Sequence, residues 1–300
     1  MNGARLQIER AGRELRVSSL DKVLWPSVGF TKRDLLTYYE AIAPALLPHL
    51  LGKPVTLARF PFGVESRGWY QTNCPPGHPE WVRVATLPGR SGQILRYSLI
   101  DEPAALLWAA NLGTLEFHPF LATAERPDAP LSLVLDLDPG LPAGLTDCCA
   151  AALRLRERLE GQGLRSVAKT SGAKGLHVVV PLDATNTFAQ TKAFARVIAR
   201  EMAQAYPELV IDRMARVERS GKVFIDWGQN DPNKSTIAPW SLRATRWPGV
   251  SMPISWEEVE EAAASGDESL LRFGPGDAFE RLNRIGDLLA PAVGGMQRLP

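Results

Sequence analysis

The chain is poor in the residues that staple or chelate. Three cysteines in 300 residues, two of them adjacent at Cys148 and Cys149, cannot build a disulfide framework and fit a reducing compartment. With four histidines, His49, His78, His118 and His177, a structural zinc centre is nearly excluded; Cys74 and His78 flank a Pro-Pro-Gly turn with no further ligand close by. No apolar run reaches membrane-spanning length, and the amino terminus lacks the apolar core and cleavage site of a signal peptide. A cytoplasmic setting without membrane partners is expected. Excess charge of one sign is missing too: 34 Lys and Arg against 33 Asp and Glu leave +1. No global field draws the chain to a polyanion, so a nucleic-acid surface must be a local patch.

What remains is ordinary globular material, 45% hydrophobic and 22% charged, with length for two domains or one domain of two lobes at about 150 residues each. Thr31 and Asp34 have capping-box spacing ahead of Leu35, Tyr38 and Ile42, predicting an amphipathic helix over 31–50 that Pro44 kinks or ends. Residues 53–96 read as short strands broken by proline and glycine. A helix from Pro103 and a strand over Thr114–Phe120 follow. The polar, proline-flanked stretch 125–130 is the expected lobe boundary, dividing 1–125 from 126–300 within one domain. Beyond it, strands at Leu131–Asp138, Leu176–Leu182 and Val223–Trp227 are separated by helices through Cys148–Leu159 and from Thr187 to before Pro207. Ser255 with Glu258 caps a further helix, and Phe279, Leu282, Ile285 and Leu289 mark the last. This order predicts a mixed α/β lobe whose site lies at strand ends.

The strand Leu-Ser-Leu-Val-Leu-Asp136-Leu-Asp138-Pro places two carboxylates on one face, because side chains alternate with period two. At the end of a buried strand that pair is costly unless a divalent cation or a cationic substrate neutralises it; an exposed strand end with incidental acids is the plain alternative. The segment Lys169-Thr-Ser171-Gly-Ala-Lys174-Gly-Leu-His177 reads as a loop whose Gly172 and Gly175 admit an anion to backbone amides, with Ser171 and Lys174 as donors. Its spacing is not that of a Walker loop. His177 opens the next strand, where it can donate to a phosphate or a sugar hydroxyl. Lys222-Val-Phe-Ile-Asp226-Trp-Gly-Gln229 is an apolar strand ending in a third carboxylate, with Arg219, Arg243 and Arg246 nearby in sequence. Three carboxylates from two strands can hold two hard cations about 4 Å apart, which is the chemistry of nucleotidyl transfer.

Taken in order, Asp136-Leu-Asp138-Pro, Ser171-Gly-Ala-Lys174-Gly-Leu-His177 and Phe224-Ile-Asp226-Trp resemble the archaeo-eukaryotic primase superfamily, most closely the polymerase domain of bacterial ATP-dependent DNA ligase D. Leu20-Asp-Lys22-Val-Leu-Trp-Pro26, Thr31-Lys32, Gly52-Lys-Pro-Val-Thr56, Asn111-Leu-Gly-Thr-Leu-Glu116-Phe-His118 and Ser235-Thr-Ile-Ala-Pro-Trp-Ser-Leu-Arg243 extend the resemblance through most of the chain. It implies a mixed α+β primase-like fold, two sheets flanked by helices around a central cleft. It further implies a polymerase of non-homologous end joining that adds nucleotides, ribonucleotides favoured over deoxyribonucleotides, with manganese or magnesium as two divalent ions. Its expected partners are gapped or overhanging DNA with a 5′-phosphate, a DNA ligase and Ku, in the bacterial nucleoid. By family motif Asp136, Asp138 and Asp226 would bind metal, and Ser171, Lys174, His177, Arg219, Gln229, Arg243 and His118 would hold the nucleotide. Lys22 and Lys32 would receive the 5′-phosphate, with Lys53 also on the DNA. Trp69-Tyr70 falls where the family usually carries two phenylalanines that stack on DNA. The residues printed leave no segment for a ligase or nuclease, so those activities are expected from another chain or a parent protein. A de novo primase and a catalytically idle end-binding module are the alternatives.

Overall fold

The computed structural model describes residues 5–295 and 297–300. A hairpin of β1 (Arg5–Arg10) and β2 (Arg13–Ser18) leads to a second small pair, β3 (Val23–Trp25) and β4 (Phe30–Thr31), which feeds α1 (Lys32–Leu50). The capping box is present: Asp34 N donates to Thr31 Oγ1 at 3.3 Å and Thr31 N donates to Asp34 Oδ2 at 2.7 Å. The helix does not end at Pro44 but runs through it and through Pro48. Burial outweighs the lost backbone bonds, since Tyr38, Tyr39, Ile42 and Leu46 are all sealed in the core.

The first large sheet gathers β5 (Pro54–Arg59), β6 (Trp69–Gln71), β7 (Val84–Pro88), β8 (Ile94–Leu99) and, after α2 (Pro103–Asn111), β9 (Thr114–Pro119). Its strands are antiparallel, and β5 pairs with β6, β8 and β9. Residues 125–130 lie in the connection from this sheet to the next. The second sheet is built from β10 (Ser132–Pro139), then, after α3 (Leu145–Glu160), β11 (Val167–Thr170) and β12 (Leu176–Pro181). After α4 (Phe188–Ala205) come β13 (Val210–Ile211) and β14 (Val223–Asp226). A separate pair, β15 (Leu242–Ala244) and β16 (Pro248–Val250), precedes β17 (Pro253–Ile254), which closes the edge; the sheet order is β13-β14-β10-β12-β11-β17. α5 (Trp256–Ser265) and α6 (Pro275–Ile285) complete the chain's helices among the described residues. α6 stops before Leu289, where Gly286 takes φ +71°.

Lys169 and Thr170 belong to β11 and not to the glycine loop. Lys169 is 2% exposed and its Nζ donates to Ser251 Oγ at 2.6 Å. The two sheets share one core, and the tyrosines of α1 tie the first sheet to the segment that carries β15. Tyr38 Oη donates to Trp240 O at 2.7 Å, while Tyr39 Oη donates to Leu115 O at 2.6 Å and accepts from Leu242 N at 3.1 Å. No helix among the described residues is long and apolar enough to cross a membrane.

Replacing Tyr39 with phenylalanine leaves Leu115 O and Leu242 N unpaired in the core, at a cost of about 1–3 kcal/mol. Urea unfolding of Y39F against the unsubstituted chain measures it, and a change below about 0.5 kcal/mol would show that the phenol is not a structural tie.

Candidate functional site

Strand register brings the three carboxylates together. Asp136 on β10 faces Asp226 on β14 and His177 on β12, and His177 faces Lys169 on β11. One row across the sheet therefore reads Lys169, His177, Asp136, Asp226, and the pleat returns Asp138 to the same face. Burial, then the neighbouring Asp138 and Asp226, push the Asp136 carboxyl up to about 7. Gln229 Nε2 spans the pair, 3.4 Å from Asp136 Oδ2 and 3.5 Å from Asp226 Oδ2, and Gly228 N donates to Asp226 Oδ1 at 2.9 Å. Burial and the positive groups Lys169 and Arg243 hold His177 well below the ordinary imidazole range, so it is neutral. Its Nε2 lies 3.3 Å from Asp136 Oδ1 and its Nδ1 lies 3.2 Å from Thr236 Oγ1, an arrangement met when Nε2–H donates and the threonine hydroxyl donates to Nδ1.

Among the described residues no three His, Cys, Asp or Glu side chains are gathered closely enough to hold a metal ion as they stand. The donor set nonetheless suits hard cations: oxygen ligands on one face, with burial and then mutual repulsion expressed as a proton retained on Asp136. A divalent ion would take the place of that proton.

The glycine loop sits against this face. A Cβ at Gly175 would lie 2.2 Å from Leu137 O, and Gly172, at φ +73°, would place one 2.8 Å from Ser251 N, so neither position admits a side chain. The amides of Ala173 and Gly175 donate to Ser171 Oγ, at 3.2 and 3.1 Å. The expected amide cradle is thus closed on its own serine, which leaves the serine O–H and the Lys174 ammonium as the loop's side-chain donors. Lys174 and Asp138 line two adjoining cavities. One, of about 310 Å³, also contains Tyr70, His118, Asp136, His177 and Arg243. The other, of about 620 Å³, contains Arg219 and Arg272. Arg219 is held by Phe224, whose ring centroid lies 3.6 Å from its guanidinium carbon, and by donation to Met214 O at 2.6 Å.

Glu116, on β9, has a larger part than period-two placement beside His118 announces. Its carboxylate accepts from His118 Nε2 at 2.7 Å, Arg243 Nη1 at 3.3 Å and Ala244 N at 2.7 Å. Alternation of polar residues in Thr114-Leu-Glu-Phe-His118 is the signal for the first contact; the second comes from far along the chain and is invisible locally.

Lys22 and Lys32 adjoin one another. Burial, then the charge of Lys22, lower the Lys32 ammonium to about 8. Each amino group donates to a backbone carbonyl and not to a carboxylate, Lys22 to Pro61 O at 3.0 Å and Lys32 to Ser18 O at 2.8 Å. Trp69 and Tyr70 are 44% and 65% exposed on β6, but they face different neighbours: Arg59 lies over Trp69, whereas Tyr70 stands edge-on to His118, centroids 5.3 Å apart. Lys53 borders a small cavity with His49 and Lys169, and burial lowers its ammonium to about 8.

The architecture and motifs agree with known proteins. Residues 31–289 match the model of the LigD primase-polymerase domain. The multifunctional non-homologous end joining protein LigD of Mycolicibacterium smegmatis is 36% identical over 279 residues, 92% of this chain and 36% of that protein. The bifunctional LigD of Bacillus subtilis is 32% identical over 251 residues, 83% of this chain and 40% of its own. The chain thus spans little more than a third of these relatives. Among solved structures, the polymerase domain of Mycobacterium tuberculosis ligase D in complex with DNA superposes with a TM-score of 0.87 at 32% identity, covering 95% of this chain and 99% of that one. This chain belongs to the LigD primase-polymerase domain family, with its primase-like fold, and is an enzyme of the nucleotidyltransferase class.

Proposed function

We propose that the chain extends DNA 3′ ends at breaks during non-homologous end joining, adding nucleotides, ribonucleotides in preference, to gapped or overhanging ends that carry a downstream 5′-phosphate. The observation that carries this reading is the Asp136–Asp226 register with Asp138 on the same face, beside the loop bearing Ser171 and Lys174. Asp136, Asp138 and Asp226 would hold two divalent ions, manganese or magnesium, which when bound lower the pKa of the attacking hydroxyl and neutralise the leaving pyrophosphate.

The protein's own groups supply the rest. Ser171 and Lys174 meet the phosphates at the mouth shared by the two cavities, and Arg219 reaches them from the larger one. Gln229 keeps Asp136 and Asp226 aligned. Neutral His177 orients Asp136 through Nε2–H and is itself fixed by Thr236. His118, Arg243 and Tyr70 wall the side where the sugar and base enter. The primer 3′-oxygen attacks the α-phosphorus, the bond to the β-phosphate oxygen breaks, and pyrophosphate departs past Lys174 and Arg219. Lys22 and Lys32 form a site for a terminal phosphate dianion, and Trp69 offers an exposed π-face to a base at the break. A ligase and Ku are the partners this activity requires.

Asp136→Ala or Asp226→Ala lowers manganese-dependent primer extension by about a hundredfold or more while the fold persists. Full activity in both variants, measured with a labelled primer, would overturn the carboxylate assignment; no extension by the unsubstituted chain would reduce it to an end-binding module, and synthesis on an unprimed single strand would mark it as a primase.

Proton and metal compete for Asp136. In the metal-free folded chain Asp136 keeps its proton to about pH 7, against an ordinary value of 3.8. The folded state therefore binds more protons than the unfolded one across that window, and this group's contribution makes stability fall as pH rises from about 4 to 7. Saturating manganese removes this slope, because the liganded carboxylate and the unfolded one are then both ionised, and manganese affinity weakens below about pH 7. Thermal melts across pH 5–8 with and without manganese test this; identical slopes would contradict it.

Lys22→Ala weakens binding to a 5′-phosphorylated gap by about tenfold and leaves an unphosphorylated gap nearly unchanged. Equal loss on both substrates, in a fluorescence anisotropy titration, would remove the phosphate from this site.

A further inference from the structure

The Glu116 carboxylate is only 5% exposed and lies behind the cavity that contains Asp136, bonded to His118 and Arg243, which line it. A buried carboxylate is tolerated where its lone pairs are all used. Here they are used by three donors from two strands: His118 Nε2 on its own strand, and Arg243 Nη1 and the Ala244 amide on β15. These contacts constrain both side chains that line the cavity. A carboxylate accepts only, so its bond fixes the His118 proton on Nε2 and leaves Nδ1 as a lone pair. Burial keeps that imidazole from charging. The Tyr70 ring, inclined at 76° to the imidazole, blocks its rotation from the other side. Arg243 has its Nε buried without a partner, so its placement depends on the Glu116 contact at Nη1.

We propose that Glu116 is a positioning residue of the nucleotide pocket: it accepts at once from His118, Arg243 and the Ala244 amide, and so sets the tautomer of the histidine and the reach of the arginine toward a bound nucleoside triphosphate. The proposal rests on the reading of this cavity as the nucleotide site. Glu116 touches no substrate itself, and its effect on nucleotide passes entirely through the two side chains it holds. A glutamine in its place keeps the volume and loses the charge, and its amide N–H can donate to His118, which turns the imidazole into the opposite tautomer.

The test is equilibrium binding of a non-hydrolysable nucleoside triphosphate in the presence of manganese, followed by calorimetry. Glu116→Gln raises the dissociation constant by about tenfold or more in the unsubstituted chain, and by less than about twofold in a chain already carrying H118A and R243A, because the groups it acts through are gone. In steady-state extension the same variant raises KM more than it lowers kcat. A dissociation constant within about twofold of the unsubstituted chain, or an equal loss in both backgrounds, would overturn the proposal. Should E116Q fail to fold, E116D, which keeps the charge but withdraws it by one methylene, is read in the same two backgrounds against the same criteria. Failure of the unsubstituted chain to bind the nucleotide would overturn the polymerase reading and this inference with it, whereas binding indifferent to E116Q would overturn this inference alone.

Discussion

Everything at the site depends on charge gathered where water is scarce. Across the second sheet a single register line holds Lys169, His177, Asp136 and Asp226. Removing solvent drives each ionisable group toward its neutral form, and the two directions are visible at either side of His177: the Asp136 carboxyl rises to about 7 and the Lys169 ammonium falls to about 7. The imidazole between them carries no charge. Such a row is poor material for stability alone, because well-packed apolar residues of similar volume would serve the fold as well or better. Its merit is chemical, since a cation arriving at the carboxylates meets ligands whose repulsion it relieves.

The candidate pocket is a product of two sheets and not of one. The second sheet contributes the carboxylates, His177 and the glycine loop. The first contributes Glu116 and His118 on β9 and Tyr70 on β6, and the β15–β16 pair carries Arg243 across to meet them. Of the adjoining cavities, the smaller combines Tyr70 and two imidazoles with Asp136, Asp138, Lys174 and Arg243, while the larger is flanked by Arg219, Arg272, Glu268 and Lys174.

Local patterns carried much of this in advance. The capping boxes at Thr31, Thr187 and Ser255 are all formed, because each depends on residues three apart. The shared face of Asp136 and Asp138 follows from pleat alone. Pairings between distant segments are another matter. Nothing near Asp226 says that it lies opposite Asp136, ninety residues earlier; only the family motifs link them before the strands are seen together. Lys169 reads as loop because lysine in a four-residue strand close to glycine has no strand signature, and its burial depends on Ser251, in the link between β16 and β17.

One phenol has an influence beyond its size. Tyr39 gives its proton to the strand that bears Glu116 and His118 and takes one from the strand that bears Arg243, from a helix that underlies both. Strands stitched to a common helix cannot slide past each other without breaking a bond in a dry interior. The two walls are therefore assembled when the chain folds, and an arriving ligand meets a cleft whose ordering entropy has already been spent, leaving side-chain rotation as the main freedom to be lost on association.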